Sequence, residues 1–207
     1  MQTQRATIQL AGHSLQRVDF DPATFQPEDL LWLPHYARLS DCARKRQTEH
    51  LAGRIAAVYA LREVGEKEVP AVGDRRQPLW PAPWYGSISH CERCALAVVS
   101  AGPVGVDIER ILSPTLAAEL ESSIVNSAEK SLLDASGLPS ALALTLAFSA
   151  KESAFKASPP EIQNGVGFRD FEVTYIKEGN LRLRLSAVAY RLQWIKAGDY
   201  VITFCAS

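Results

Sequence analysis

GSISHCERCALAVVSAGPVGVDIE, residues 86–109, reads as β-structure. Ile88 alternates with polar neighbours, residues 95–99 form a short apolar run, Gly102-Pro103 makes a turn, and residues 104–108 alternate again, which predicts a hairpin or meander. Helical patterns lie on both sides. Upstream, Leu51, Ile55, Val58, Tyr59 and Arg62 line one face of a helix predicted over residues 41–64, with Gly65 as its C-terminal cap. Between that helix and the β region, Pro70, Gly73, Pro78, Pro81 and Pro83 impose an irregular crossing loop over residues 70–85, anchored by Trp80 and Trp84. Downstream, a weak helical pattern covers residues 115–120 and a strong one residues 140–157, which Pro159-Pro160 stops. Residues 168–176, 181–185 and 200–205 alternate as strands. Helices mixed with mostly antiparallel strands predict an α+β fold rather than a doubly wound sheet.

Composition bounds the partners. The 207 residues carry 22 Lys and Arg against 23 Asp and Glu, a formal charge of -1, which excludes a strongly basic nucleic-acid scaffold and an acidic disordered tail. Any anion binding must therefore be local. With 47% hydrophobic and 22% charged residues the chain is globular in composition and long enough for one large domain or two small lobes. Residues 1–20 lack the basic and apolar regions of a secretion signal, and no apolar run approaches the ~18 residues of a membrane span, so a cytoplasmic protein is expected. Cys42, Cys91, Cys94 and Cys205 are then expected as reduced thiols.

Four constellations carry candidate chemistry. In Gly105-Val-Asp-Ile-Glu109, side chains two apart on a strand share a face, so Asp107 and Glu109 aim both carboxylates at one place while Val106 and Ile108 face the core. Such a pair suits Mg²⁺, or is simply the solvent face of an edge strand. In Phe148-Ser-Ala-Lys-Glu-Ser-Ala-Phe-Lys156, Glu152 and Lys156 share a helix face, either as an ordinary ion pair or as a third carboxylate with a lysine for a phosphate. Arg46, His50 and Arg54 recur every four residues as a basic ridge, which a solvated face explains equally well; Arg75-Arg76 and Ser89-His90 are further anion candidates. Cys91-Glu-Arg-Cys94 lacks a second ligand pair for zinc and sits in a strand-like segment rather than at a helix N-terminus, so neither metal binding nor a functional disulfide is expected.

Taken together and in this order, Gly86-Ser-Ile-Ser-His-Cys91, Gly105-Val-Asp-Ile-Glu109 and Phe148-Ser-Ala-Lys-Glu-Ser-Ala-Phe-Lys156 resemble the three signature blocks of the Sfp-type 4'-phosphopantetheinyl transferases. Glu49-His-Leu-Ala-Gly-Arg54, Arg76-Gln-Pro-Leu-Trp-Pro81 and Asp29-Leu-Leu-Trp-Leu-Pro-His-Tyr36 are similar to the siderophore-synthesis subgroup, and the similarity runs through almost the whole chain. The resemblance implies a monomer of two similar α+β lobes, 1–101 and 102–207, related by a pseudo-twofold, with coenzyme A and Mg²⁺ in the cleft between them. It places the metal on Asp107, Glu109 and Glu152, the 3'-phosphate of coenzyme A on Arg46, Arg54, His90 and Arg75, the pyrophosphate on Ser89, and the family's two lysines, as further coenzyme A contacts, on Lys151 and Lys156.

The implied reaction is Mg²⁺-dependent transfer of 4'-phosphopantetheine from coenzyme A to a serine of apo aryl carrier and peptidyl carrier domains, with adenosine 3',5'-bisphosphate leaving. Glu152 is expected as general base beside Asp107, and Lys156 as the group steadying the phosphoryl. Peripheral association with a membrane-bound synthase assembly belongs to the same expectation, and no motif marks the carrier-binding surface. On residue chemistry alone, two other readings stay open. A Mg²⁺-dependent phosphohydrolase would use the same carboxylates and lysine with water as nucleophile, and a non-catalytic coenzyme A module would not need the full triad.

Overall fold

Two antiparallel strands begin the chain, β1 (Thr3–Leu10) and β2 (His13–Phe20), joined at Ala11-Gly12, whose φ values of 53° and 75° are those a tight two-residue hairpin turn demands. The structure, a computed structural model, describes residues 1–206 and divides into two units, 1–101 and 102–207. Among the described residues no helix is long and apolar enough to cross a membrane.

In the first unit, α1 (Arg44–Glu63) follows a run of short 3-10 turns, and two-residue strands β3 (Ala71–Val72) and β4 (Pro78–Leu79) pin the proline-rich loop. Strands β5 (Tyr85–Cys91) and β6 (Cys94–Ser100) complete a sheet of order β1-β2-β6-β5. Helix α1 lies on this sheet through small residues, Ala52, Ala56, Ala57 and Ala60, buried against Val18, Phe20, Ala95 and Ala97. The 3-10 turns add a second apolar layer, Phe25, Leu30, Leu33 and Leu39 packing on Leu51. The helix is thus covered on most sides, and Thr48, Glu49, His50 and Arg54 are buried along with its apolar residues. The solvated-face reading of the basic ridge is therefore corrected at His50 and Arg54.

The second unit is a five-stranded antiparallel sheet of order β7-β11-β10-β9-β8. Its strands are β7 (Val104–Arg110), β8 (Glu172–Lys177), β9 (Asn180–Leu185), β10 (Val188–Ala197) and β11 (Tyr200–Ala206). Helices α2 (Pro114–Ile124), α3 (Ser127–Asp134), α4 (Ser140–Ala157) and the short α5 (Pro160–Gln163) lie between β7 and β8 in the chain. The α+β class holds.

Of the predicted hairpin or meander, the structure has the hairpin. Strands β5 and β6 form a hairpin whose turn is Glu92-Arg93, with Cys91 opposite Cys94, but β7 pairs with β11, so the run of β pattern changes sheet after Ser100. Residues 168–170 are a 3-10 turn rather than the start of a strand. The β1–β2 hairpin, α3, the short α5 and β10 carried no prediction, nor did the two-residue strands β3 and β4 within the loop. Helix α3 begins at a capping box, Asn126 accepting from the Ala128 and Glu129 amides while Glu129 accepts from Asn126 N–H. Strand β10 buries Tyr190, Leu192 and Trp194 in strict alternation.

Candidate functional site

Chemistry-bearing side chains gather at one place in each unit. In the second unit the place is made by a glycine. Gly105, Asp107 and Glu109 share one face of β7, and α4 crosses that face so closely that a Cβ on Gly105 would lie 1.8 Å from the Ser153 carbonyl oxygen and 2.7 Å from the Ala157 nitrogen. Only the absence of a side chain at Gly105 lets the helix backbone settle there. Buried hydroxyls then fix its rotation: the Ser149 Oγ lies 2.9 Å and the Ser153 Oγ 2.7 Å from the Thr203 Oγ1 of β11.

This docking turns Glu152 and Lys156 toward Asp107. Lys156 Nζ donates to Asp107 Oδ1 at 2.7 Å and to the Val106 carbonyl at 3.2 Å. Asp107 is 2% exposed, so its carboxylate sits in a poorly solvated position. Burial raises the Glu152 carboxyl above its ordinary range, the Lys156 charge pulls it back, and the Asp107 charge adds to the rise, so the two carboxylates and the ammonium feel one another directly. Glu109 follows on the same strand face, half-buried. Val106 and Ile108 are fully buried, as alternation predicts.

Hard carboxylate oxygens in a poorly hydrated place beside a lysine are the donor chemistry that suits Mg²⁺. Lys156 supplies the positive charge on Asp107 in their place, and among the described residues no three carboxylate, histidine or cysteine side chains are drawn together tightly enough to form a closed metal cluster. The donor set fits a cation that keeps waters and takes further oxygens from its substrate, not one caged by protein.

Lys151 is not part of this group. Its Nζ, fully buried, pairs with Glu129 Oε1 at 2.8 Å and donates to the Ile124 carbonyl at 2.7 Å; the same Glu129 oxygen accepts the Val173 N–H at 2.8 Å. One residue before Glu152, the side chain points to the opposite side of α4, where it ties the helix to α3 and β8. The expectation that Lys151 contacts coenzyme A is corrected on that ground.

The first unit holds a pocket of about 120 Å³ lined by Arg46, Glu49, His50, Gly53, Arg54, Arg76, Pro78, Ile88 and His90. Residues 46, 50, 53 and 54 share one face of α1, and Ile88 and His90 are alternate residues of β5 below it. Gly53 is the point of close approach, where a Cβ would lie 3.0 Å from Ile88. Arg54 is 3% exposed; its Nη2 donates to the Ala71 carbonyl at 3.3 Å, and its Nε has no hydrogen-bond partner among the described residues. Burial, and next the Arg46 charge, lower this guanidinium to about 10, still cationic at neutral pH. Glu49 is the one acid of the wall, with Oε2 3.7 Å from His90 Nδ1. Three arginines and two histidines thus face a single carboxylate across this wall, a cationic excess that suits an anion.

Arg46, Arg54 and His90 are thus brought together as expected. Arg76, which has a φ of 65°, lines the pocket where Arg75 was expected; both residues are exposed, and the Arg75 amide donates to Gln77 Oε1 at 3.0 Å. Ser89 is buried, and strand alternation puts it on the face of β5 opposite Ile88 and His90, away from this pocket. Arg76 was an anion candidate together with Arg75, whereas Glu49 as a pocket residue and the depth of His50 were missed. Arg76 had no local signal separating it from Arg75, whereas Glu49 and His50 stood within a stretch already singled out.

An arginine-lined anion pocket, and a strand-borne Asp and Glu faced by a helical Glu and Lys, define a phosphoryl-handling enzyme, and comparison with known proteins specifies which. Residues 35–100 match the 4'-phosphopantetheinyl transferase N-terminal domain and residues 103–205 the 4'-phosphopantetheinyl transferase superfamily. The chain belongs to that family and is a transferase. It is 54% identical to enterobactin synthase component D of Escherichia coli K12, over 99% of this chain and 98% of that protein, and 49% identical to that of Salmonella typhi, over 100% and 92%. It is 31% identical to the 4'-phosphopantetheinyl transferase PptT of Mycobacterium tuberculosis over 72% of this chain and 67% of that protein.

Proposed function

We propose that the protein transfers the 4'-phosphopantetheine group of coenzyme A to a serine of apo aryl carrier and peptidyl carrier domains in enterobactin biosynthesis, with Mg²⁺, releasing adenosine 3',5'-bisphosphate. The observation that carries this reading is Arg54, a buried guanidinium with an unfilled Nε–H in a pocket shared with Arg46, Arg76 and His90. Coenzyme A carries roughly four negative charges, and a chain of net charge -1 can hold them only by concentrating cations locally. The pocket takes the 3'-phosphate.

Asp107, Glu109 and Glu152 would hold Mg²⁺, which when bound neutralises charge on pyrophosphate oxygens. Glu152, raised by burial, is the stronger base for it and takes the proton of the carrier serine as that hydroxyl attacks the β-phosphate. Lys156, held in place by Asp107 and 26% exposed, steadies the transferring phosphoryl group as a point charge. The protein acts as a monomer on this reading.

Intact-mass spectrometry of an apo carrier domain incubated with the protein, coenzyme A and Mg²⁺ tests it. A gain of about 340 Da on the carrier is expected for a phosphopantetheine transfer. Release of free 4'-phosphopantetheine with no gain in carrier mass would mean hydrolysis and overturn the reading.

A further inference from the structure

Two histidines at the first-unit pocket have no role above. His50 is 9% exposed and lines the pocket. Its Nε2 lies 2.8 Å from Nε2 of His35, which precedes α1, and the rings meet edge to face with centroids 5.0 Å apart. A nitrogen-to-nitrogen bond of this kind needs one shared proton: one ring donates Nε2–H and the other accepts it. With His50 as the donor, neutral His35 accepts at Nε2 and carries its one proton on Nδ1, while neutral His50 has a bare Nδ1. One further proton can therefore be added at that bare nitrogen without breaking the bond between the rings.

Charged and titratable groups surround the pair from every element packed on it. Arg46, Glu49 and Arg54 come from α1, His90 from β5, Arg76 from the proline-rich loop, and Arg38 stands near His35. Burial first and the Arg54 charge second push His50 down to about 3, and the same two causes lower His35. Burial and then the surrounding cations keep the pair neutral, and a bound phosphate would offset the cationic part of that penalty.

We propose that His35 and His50 form a proton-coupled part of the anion pocket, in which entry of a phosphate dianion draws one proton from solvent onto the open Nδ1 of the pair, so that His50 presents a charge-assisted contact to the phosphate. The proposal rests on the pocket being the 3'-phosphate site of coenzyme A. His50 is then a ligand-contacting residue and His35 a positioning residue that holds its tautomer. By linkage, the proton strengthens binding as much as binding strengthens the proton's hold, so affinity for the 3'-phosphate rises as pH falls through the window the pair spans.

Isothermal titration at pH 6, in two buffers of different ionisation enthalpy, counts protons taken up as the protein binds coenzyme A or dephospho-coenzyme A. The wild type, His35→Gln and His50→Gln are compared. With coenzyme A the wild type is expected to take up about half a proton or more beyond either variant, a difference that dephospho-coenzyme A does not show. Each variant still binds coenzyme A but loses that excess. The phosphate's own titration near pH 6 is common to all three proteins and cancels. Unchanged uptake in both variants assigns the proton to His90 and overturns the proposal while leaving the pocket reading intact. Equal affinity and equal proton counts for the two donors in the wild type would overturn the pocket reading and the proposal together. Each variant reports alone, so one that fails to fold leaves the other to decide.

Discussion

Replacing Arg54 with Met removes the guanidinium and keeps most of the side-chain volume. Arg54 is 3% exposed, makes one long bond to the Ala71 carbonyl at 3.3 Å, and leaves Nε without a partner among the described residues. The fold therefore loses little: one weak hydrogen bond goes, and one unsatisfied buried donor goes with it, terms of similar size and opposite sign. The melting temperature is expected to stay within a few degrees of wild type. Catalysis should respond quite differently. A charge-assisted hydrogen bond to the 3'-phosphate is worth about 1.5 to 3 kcal/mol, so the preference for coenzyme A over dephospho-coenzyme A should shrink by about 10- to 150-fold per such bond lost. The assay is kcat/KM for both donors in wild type and variant, because the coupling between a contact and its partner vanishes when either is absent. If Arg54→Met weakens both donors by the same factor, the arginine acts through general potential or folding, and the assignment of the pocket to that phosphate is wrong.

Four other outcomes follow from the same geometry. Alanine at Asp107, Glu109 or Glu152 should abolish transfer; the melting temperature should hold or rise for Glu109 and Glu152, where carboxylate repulsion is relieved, and fall for Asp107, whose loss strands Lys156, and wholesale unfolding of all three variants would make them structural. Gly105→Ala should cost about 3 kcal/mol or more because the added carbon meets the α4 backbone at 1.8 Å, while Gly102→Ala, with nothing within 4 Å, should be neutral in the same denaturant titration. Lys151→Met should cost about 3 to 5 kcal/mol by stranding the buried Glu129 carboxylate, yet leave KM for coenzyme A unchanged at a temperature where the variant is folded; a large rise in KM would restore Lys151 to the ligand. His50 has its folded value pushed down to about 3, below the unfolded 6.5, so the unfolded chain binds the extra proton and stability is lost as pH falls from 6.5 toward 3. His50→Gln should flatten that part of the stability-pH curve.

Local chemistry accounts for much of what was legible. Alternation at Val104, Val106 and Ile108, the run of residues 95–99, and the α4 pattern stopped by Pro159-Pro160 are short-range signals that survive folding intact. The β10 strand and the Asn126 capping box were equally local and went unread, though Tyr190, Leu192 and Trp194 alternate plainly and Asn126 stands three residues before Glu129. The meander failed for a different reason. A turn at Gly102-Pro103 says that the chain reverses, not which strand the next one will pair with, and β7 found β11 nearly a hundred residues away.

By itself the sequence determined the family, the α+β class and the residue types of both sites, because side-chain spacing along one helix or strand is a property of the backbone period. Only tertiary structure decided which of those groups act. Whether Lys151 or Lys156 reaches Asp107 depends on the rotation of α4, set by Gly105, Thr203 and the Glu129 ion pair. Whether Arg75 or Arg76 lines the pocket depends on how the proline-rich loop is folded against α1 and β5, which adjacent identical residues do not reveal. Whether the ridge on α1 is solvated or buried depends on the apolar layer and proline-rich loop that close over it. Charge, burial and the pKa of His50 are sums over neighbours distant in the chain, and no local pattern contains them.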